Sequence, residues 1–400
     1  MATQLNSSAP AGMRLTVAII GNANVGKSAL LNQIVGQDTA IVSAVAGTTT
    51  DAVLKPYELV PVGPLCFYDT AGLDDNTELA EKRICATQKV IRKADLALLV
   101  IGKNGVDDLT RQHLALLKEK NIPFIPVFNF RDARQLNEGD RKIFERFKGV
   151  FVSAKTAQGI EELKQRMIDV LTPLAQEPPL LADLIQPKNV VLLVVPIDLA
   201  APKGRLILPQ VQALREILDA NAVPIVAKVC EVEDVLRKLS FAPDLVITDS
   251  QAVKDVAKIV PDTIPLTTFS TLFARYKGDF YAQLNGANSI DTLQNGDKVL
   301  IAEGCSHHVT CDDIGRVKIP KWILSYTGKT IQFDYAQGTD FPDNLGDYAL
   351  VIHCGGCMLN RAEMRRRINE CARQNIQVTN YGILISKMMG VLDRVVAPLL

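Results

Sequence analysis

Two groups of residues in this 400-residue chain have types and spacing that could do chemistry. The first is Gly21-Asn-Ala-Asn-Val-Gly26-Lys27-Ser28, which fits the pattern G-x-x-x-x-G-K-[ST]. Glycines let successive backbone N–H groups curl round a phosphate, the lysine neutralises its outer oxygens, and the serine hydroxyl reaches Mg²⁺. A nucleotide is therefore expected against Gly21, Asn22, Asn24, Val25, Gly26, Lys27, Ser28 and Ala29, with Lys27 acting on the transferred phosphate. The second group is Cys305-Ser-His307 together with His353-Cys354-Gly-Gly-Cys357. A lone C-x-x-C says little, but joined to an earlier C-x-H it points to a metal. Three cysteines and one or two histidines suit a structural Zn²⁺. They equally suit an iron–sulfur cluster whose fourth position is open or held by something other than cysteine.

Further along, the pattern narrows the nucleotide. Asp69-Thr-Ala-Gly72 follows a strand-like run, so Asp69 is expected to hold Mg²⁺ through water and the Gly72 N–H to sense the γ-phosphate. Gly47-Thr48-Thr49-Thr50-Asp51 lies between these motifs, where a switch loop belongs; Thr49, in preference to Thr48, would complete the Mg²⁺ shell with Ser28 and Asp69. Asn129-Phe130-Arg131-Asp132 supplies an amide to read the purine and a carboxylate to accept from guanine N–H groups. Phe130 takes the place usual for lysine in such loops, which lowers the expected affinity. Ser153-Ala154-Lys155 is expected to lie against the base. In this order the motifs select GTP and GDP. Leu73 stands where many GTPases carry a water-orienting glutamine, so the catalytic set of Lys27, Thr49 and Gly72 needs another contributor.

The elements that must position these residues read as strand–helix alternation along the whole chain. Apolar runs such as Leu15–Ile20 are separated by amphipathic stretches of helical length, which argues for buried parallel strands with crossover helices. The expected fold class is α/β, with a Ras-like P-loop domain over 1–173. A linker at 174–188 centres on Pro173-Leu-Ala-Gln-Glu-Pro-Pro. Two smaller, largely parallel α/β units follow, over 189–267 and 268–400. The metal motifs follow the strands Lys298–Ala302 and Tyr348–Ile352, at the carboxyl ends where α/β sheets place ligands. Asn360 is expected to cap the next helix, with Glu363 closing a capping box. Arg365-Arg366-Arg367 reads as a solvated face, and Cys66, Cys85, Cys230 and Cys371 as small core residues. His308 and Cys311 read as bystanders of the metal motifs.

Lys and Arg balance Asp and Glu at 44 each, so the chain has no broad basic field for nucleic acid. No apolar run approaches membrane-spanning length, the first residues do not read as a secretory signal, and eight scattered cysteines favour a reducing cytoplasm. Neither nucleic acid nor membrane is expected as a partner.

Taken together, the motifs resemble a known family. The first domain is similar to the TrmE–Era–Der-like branch of GTPases. In that branch an asparagine at the position of Asn24 helps hold a K⁺ that replaces an arginine finger. The whole arrangement, with the run Thr268-Phe-Ser-Thr-Leu-Phe-Ala-Arg-Tyr-Lys-Gly-Asp, resembles the HydF family of iron–iron hydrogenase maturation GTPases. The resemblance implies K⁺-stimulated GTP hydrolysis and a 4Fe–4S cluster on Cys305, Cys354 and Cys357, with His307 and His353 beside it. It implies a scaffold that carries a diiron precursor as cargo to the hydrogenase, with two radical-SAM maturases as partners. It also implies a homodimer formed through the unit at 189–267. Two other functions stay in view: a ribosome- or tRNA-acting GTPase of the same branch, and a GTP-switched regulator with structural zinc.

Overall fold

The computed structural model describes residues 14–36, 53–69, 90–91, 93–175, 178–196, 206–304, 313–338 and 340–400. The chain divides into two compact units, one ending at residue 177 and the other beginning at Pro178.

In the first unit, strands β1 (Leu15–Gly21), β2 (Val53–Leu59), β3 (Gly63–Asp69), β4 (Leu96–Ile101), β5 (Phe124–Phe128) and β6 (Val150–Phe151) form one sheet. Their order is β2-β3-β1-β4-β5-β6, with only β2 antiparallel to its neighbour. Both faces are covered, as a parallel sheet requires. Val17 and Ile19 of β1 enter one core and Ala18 and Ile20 enter the other. Helix α1 (Lys27–Val35) and helix α4 (Ile160–Ala175) pack on the first face through Leu30, Ile34, Leu163 and Met167. Helix α2 (Asp108–Glu119) buries Leu117 on the second, and α3 (Glu138–Phe147) follows β5. β1, β3, β5 and β6 all end at the carboxyl edge of the sheet, which brings the nucleotide motifs to one rim.

The second unit holds two parallel sheets. β7 (Val190–Val194), β8 (Val223–Ala227), β9 (Leu245–Thr248) and β10 (Leu266–Thr268) run in the order β10-β9-β7-β8. Helices α5 (Leu208–Asp219), α6 (Val232–Lys238) and α7 (Val253–Ile259) alternate with them. After α8 (Phe269–Lys277) and α9 (Phe280–Asn288) comes the second sheet, β12-β11-β13-β14. It is built from β11 (Lys298–Glu303), β12 (Gln332–Gln337), β13 (Leu350–His353) and β14 (Gln377–Asn380). Helices α10 (Ile319–Thr327), α11 (Arg361–Arg373), α12 (Tyr381–Met388) and α13 (Leu392–Val396) complete it.

Two stretches differ from the boundaries expected above. Leu180, Leu181 and Ile185, inside the expected linker, are buried in the core of the second unit, and the Glu216 carboxylate accepts from the N–H groups of residues 180–182 at 2.9–3.1 Å. The break expected between 267 and 268 falls inside β10. Thr268 caps α8, whose Phe269, Leu272 and Phe273 join the same core as Ile383 and Leu392 from the far end of the chain. Shared apolar packing thus makes one unit of the two expected ones.

Candidate nucleotide and metal sites

The phosphate loop leaves β1 at Gly21, whose φ is +148°; a Cβ there would lie 2.4 Å from the Val100 carbonyl oxygen. Gly26 has φ +90°, and a Cβ would lie 2.3 Å from Asn129 Nδ2. Both positions therefore demand glycine on space and on backbone. Asn24 is exposed with φ +58°, a left-handed conformation that asparagine tolerates. Val25 is buried below it, while Ser28 and Ala29 are exposed on the first turn of α1. Lys27 is buried, and its Nζ donates to the Gly21 and Asn22 carbonyls at 2.9 and 2.8 Å. The Asn22 amide donates to the Asp107 carboxylate.

The base-side loops are tied to this one. Asn129, expected to read the purine, is only 2% exposed. Its Nδ2 donates to the Val25 carbonyl at 2.9 Å, and its Oδ1 accepts from the Phe130 and Ala154 N–H groups at 2.8 and 3.0 Å. The side chain is a clip that joins three loops, and the second proton of its Nδ2 is not used in these bonds. Asp132 is at the surface, with Oδ1 accepting from Ser153 Oγ at 2.6 Å. That hydrogen bond, helped by the nearby Lys155, holds its carboxyl below the usual carboxylate range, so it is an anion ready to accept from a base. Ser153 and Ala154 are buried, and Lys155 is exposed. Phe130 has φ +69°. Asp69 ends β3 opposite Ile19 of β1. Thr48, Thr49, Gly72 and Leu73 lie outside the described residues.

In the second unit the pairing of Ala302 with His353 sets the ends of β11 and β13 side by side. The Cys354 N–H donates to the Ala302 carbonyl at 2.9 Å, and its Sγ accepts from the N–H groups of Gly304 and Gly356 at 3.1 and 3.4 Å. Two N–H donors aimed at one sulfur suit a thiolate. Burial nevertheless pushes the Cys354 thiol up to about 11, offset in part by those two N–H groups and reinforced by Cys357 and Glu303. A bound cation is what would restore the anion at neutral pH. Glu303 was missed from the sequence. It is buried, its Oε1 accepts from the Tyr381 hydroxyl at 3.4 Å, and its Oε2 has no hydrogen-bond partner among the described residues. The only clue was its place two residues before Cys305. Arg316 Nε lies 3.8 Å from Glu303 Oε2, so its charge is met by an ion pair, and the fit to a metal group rests on the soft sulfur donors Cys354 and Cys357. Cys305, His307, His308 and Cys311 lie outside the described residues, as does Cys85, and among the described residues no three ligand-type side chains come together.

His353 differs from its expected place as a ligand. Its Nδ1 lies 2.9 Å from the Cys354 carbonyl oxygen and its Nε2 lies 3.1 Å from Arg367 Nη1. A guanidinium only donates and a carbonyl only accepts, so the ring is neutral with its proton on Nδ1. Burial, then the Arg367 charge, push its pKa down to about 3 against a smaller opposing pull from the Cys354 carbonyl. Both nitrogens are committed, which leaves none for a metal. Arg367, read as solvated, is buried and pairs through Nε with Glu363 Oε1 at 2.9 Å. Glu363 therefore closes no capping box, although Asn360 Oδ1 does cap its N–H at 2.9 Å. Cys371 is buried as expected, with its thiol pushed up to about 12 mainly by burial; Cys230 is exposed, because the short turn Val229–Glu231 leaves the sheet there.

Three family models match the chain. Residues 16–130 match a 50S ribosome-binding GTPase, residues 180–278 a hydrogen maturase F dimerization domain, and residues 281–398 a hydrogen maturase F tetramerization domain. Curated relatives include the tRNA modification GTPase MnmE of Legionella pneumophila (strain Corby), 38% identical over 154 residues, which are 38% of this chain and 33% of the relative. GTPase Der of Nautilia profundicola is 36% identical over 169 residues, 39% of this chain and 36% of the relative. The chain thus spans about a third of the length of the curated relatives it matches. Among solved structures, the G domain of the T. maritima FeoB iron transporter is 22% identical over 39% of this chain and 98% of its own, with a TM-score of 0.30. No helix among the described residues is long and apolar enough to cross a membrane.

Proposed function

The chain belongs to the hydrogen maturase F family, and from that premise we propose that it is a GTP-hydrolysing scaffold in the maturation of iron–iron hydrogenase. One observation carries the reading. A GTPase domain shares the chain with both hydrogen maturase F modules, and the Cys354-Gly-Gly-Cys357 loop lies in the second of them. The N-terminal unit is a GTPase domain for GTP and GDP with Mg²⁺. Lys27 draws the outer phosphate oxygens, Ser28, Thr49 and Asp69 hold Mg²⁺, and Gly72 reports the γ-phosphate. Asp132 selects guanine, with Lys155 beside it. Asn24 would help hold a K⁺, which would supply positive charge to the transition state where Leu73 offers no group to orient the attacking water. Hydrolysis should then run faster in K⁺ than in Na⁺, and Asn24→Ala should erase that difference; equal rates in the parent chain would remove K⁺ from the proposal.

Cys305, Cys354 and Cys357 are the proposed ligands of a 4Fe–4S cluster, with His307 near its fourth iron. When bound, such a cluster supplies an iron with an exchangeable position, to which a diiron precursor can bridge and from which it can leave. The chain's own part is to hold that site. The Gly304 and Gly356 N–H groups steady the Cys354 sulfur, and the Glu363–Arg367–His353 chain fixes the end of β13. The hydrogenase and two radical-SAM maturases are the proposed partners, in the reducing cytoplasm.

Anaerobic reconstitution followed by iron and sulfide analysis and an electron paramagnetic resonance spectrum of the reduced protein tests the metal assignment. A signal from a reduced cluster is expected. A tightly held, spectroscopically silent zinc would favour the regulator reading instead.

A further inference from the structure

Lys277 ends α8 and lies in the run Thr268-Phe-Ser-Thr-Leu-Phe-Ala-Arg-Tyr-Lys277-Gly278-Asp279. It is 2% exposed. Lysine is almost never so buried unless its charge meets partners. Here Nζ donates to the carbonyl oxygens of Leu359 at 2.7 Å, Gly356 at 2.9 Å and, longer, Cys357 at 3.4 Å. It also lies 5.6 Å from the centroid of the Phe273 ring. All three carbonyls belong to the turn that carries Cys354 and Cys357.

The base from which Lys277 reaches is itself fixed. Gln283 Nε2 donates to the Ala274 carbonyl at 3.4 Å, and a Cβ on Gly278 would lie 2.1 Å from that same nitrogen. The ammonium also sits at the carboxyl end of its own helix, where a cation is favoured.

We infer that Lys277 is a positioning residue for the cysteine loop, acting mechanically and electrostatically. Mechanically, one ammonium gathers the loop's carbonyls on one side, while the Gly356 N–H donates to the Cys354 sulfur. Electrostatically, it fixes a positive charge in a water-poor setting beside the loop. That charge offsets the negative charge of ligating thiolates and favours the more reduced, more negative form of a bound cluster. The inference deepens the metal reading of the same loop and rests on it for its electrostatic half. Lys277 also joins the two modules, since it falls within the match at 180–278 while the loop falls within the match at 281–398.

The test uses the full chain with Lys277→Met, similar in length but uncharged, and Lys277→Arg, which keeps the charge. Hydrogen exchange on metal-free protein reads the loop without any cluster. Amides of residues 355–359 should exchange about tenfold faster in Lys277→Met, while those of α12 keep their protection. Unchanged loop protection, or equal loosening of the loop and α12, would overturn the positioning role.

Should Lys277→Met not fold, Lys277→Arg carries the same measurement. The guanidinium is bulkier than the ammonium it replaces at a position only 2% exposed, so its loop should also loosen, and unchanged protection there overturns the role. On iron-loaded protein, the reduction equilibrium of Lys277→Met should shift about tenfold toward the oxidised form, about 59 mV for one electron. Lys277→Arg should stay near the parent. Iron lost from Lys277→Met with α12 intact also supports the inference, and equal potentials in all three proteins overturn its electrostatic half. If the parent itself takes up no iron, the metal reading falls, while the exchange data still decide whether Lys277 holds the loop.

Discussion

Lys27 lies folded onto the loop it serves, with its ammonium on the Gly21 and Asn22 carbonyls. A phosphate arriving there finds a cation already fixed in place, so little reorganisation is needed at the moment of reaction. Lys27→Ala should lower GTP turnover by about 10²–10³-fold, the scale of losing one preorganised transition-state donor. Its circular dichroism and iron content should match the parent, and retained turnover would contradict the role. Asp132 is the proposed reader of the base. Asp132→Asn swaps an anion that only accepts for an amide that also donates, so GTP affinity should fall about 10²-fold, while xanthosine triphosphate, whose C2 carbonyl accepts from that amide, should bind more tightly than to the parent. Competition binding of the two nucleotides checks this. Lys27 and Asp132 were both legible in the sequence because their spacing to neighbouring motif residues encodes the local backbone. The clip made by Asn129 and the places of His353 and Arg367 were not. Their roles are set by partners that only folding brings near, such as Val25, which is 104 residues from Asn129.

At the scale of elements, strands were the most legible feature. β4 is Leu-Ala-Leu-Leu-Val-Ile with every residue buried, and no amphipathic helix can be written that way. Unit boundaries were less so. Pro178, Pro179 and their neighbours look like linker chemistry, yet Leu180 and Leu181 bury themselves and hand their N–H groups to Glu216, a partner on a later helix. The phosphate loop, the end of β5 and the loop after β6 are likewise joined by one side chain. Asn129→Ala would strand the Val25 carbonyl and the Phe130 and Ala154 N–H groups. At about 1–3 kcal/mol for a stranded buried group, with partial relaxation, the N-terminal unit should lose roughly 2–4 kcal/mol. Denaturant unfolding of the parent and variant measures it. A change below about 0.5 kcal/mol, the scale of an ordinary surface substitution, would show that the clip is not what couples these loops.

At the scale of the whole molecule, the sheet order leaves β8 as an edge strand. Natural edge strands are usually blunted by charge, a bulge or a cover. β8 instead exposes Val223 and Val226 at 50% and 49%, and the neighbouring α5 exposes Val211 and Leu218 at 45% and 54%. These exposed apolar side chains, in the module that matches a dimerization domain, are the proposed surface on which two copies would meet. Because a two-fold contact sets the same patch against itself, one substitution alters both sides at once. Val226→Asp would place two like charges in a desolvated seam, a cost of several kcal/mol per ion, while leaving the inward-facing core untouched. Light scattering at micromolar concentration should give the variant half the mass of the parent. That holds whether the parent runs as a dimer or associates further through the second module. GTP turnover should persist, since the substitution lies outside the GTPase unit. An unchanged mass would move the dimer contact away from β8.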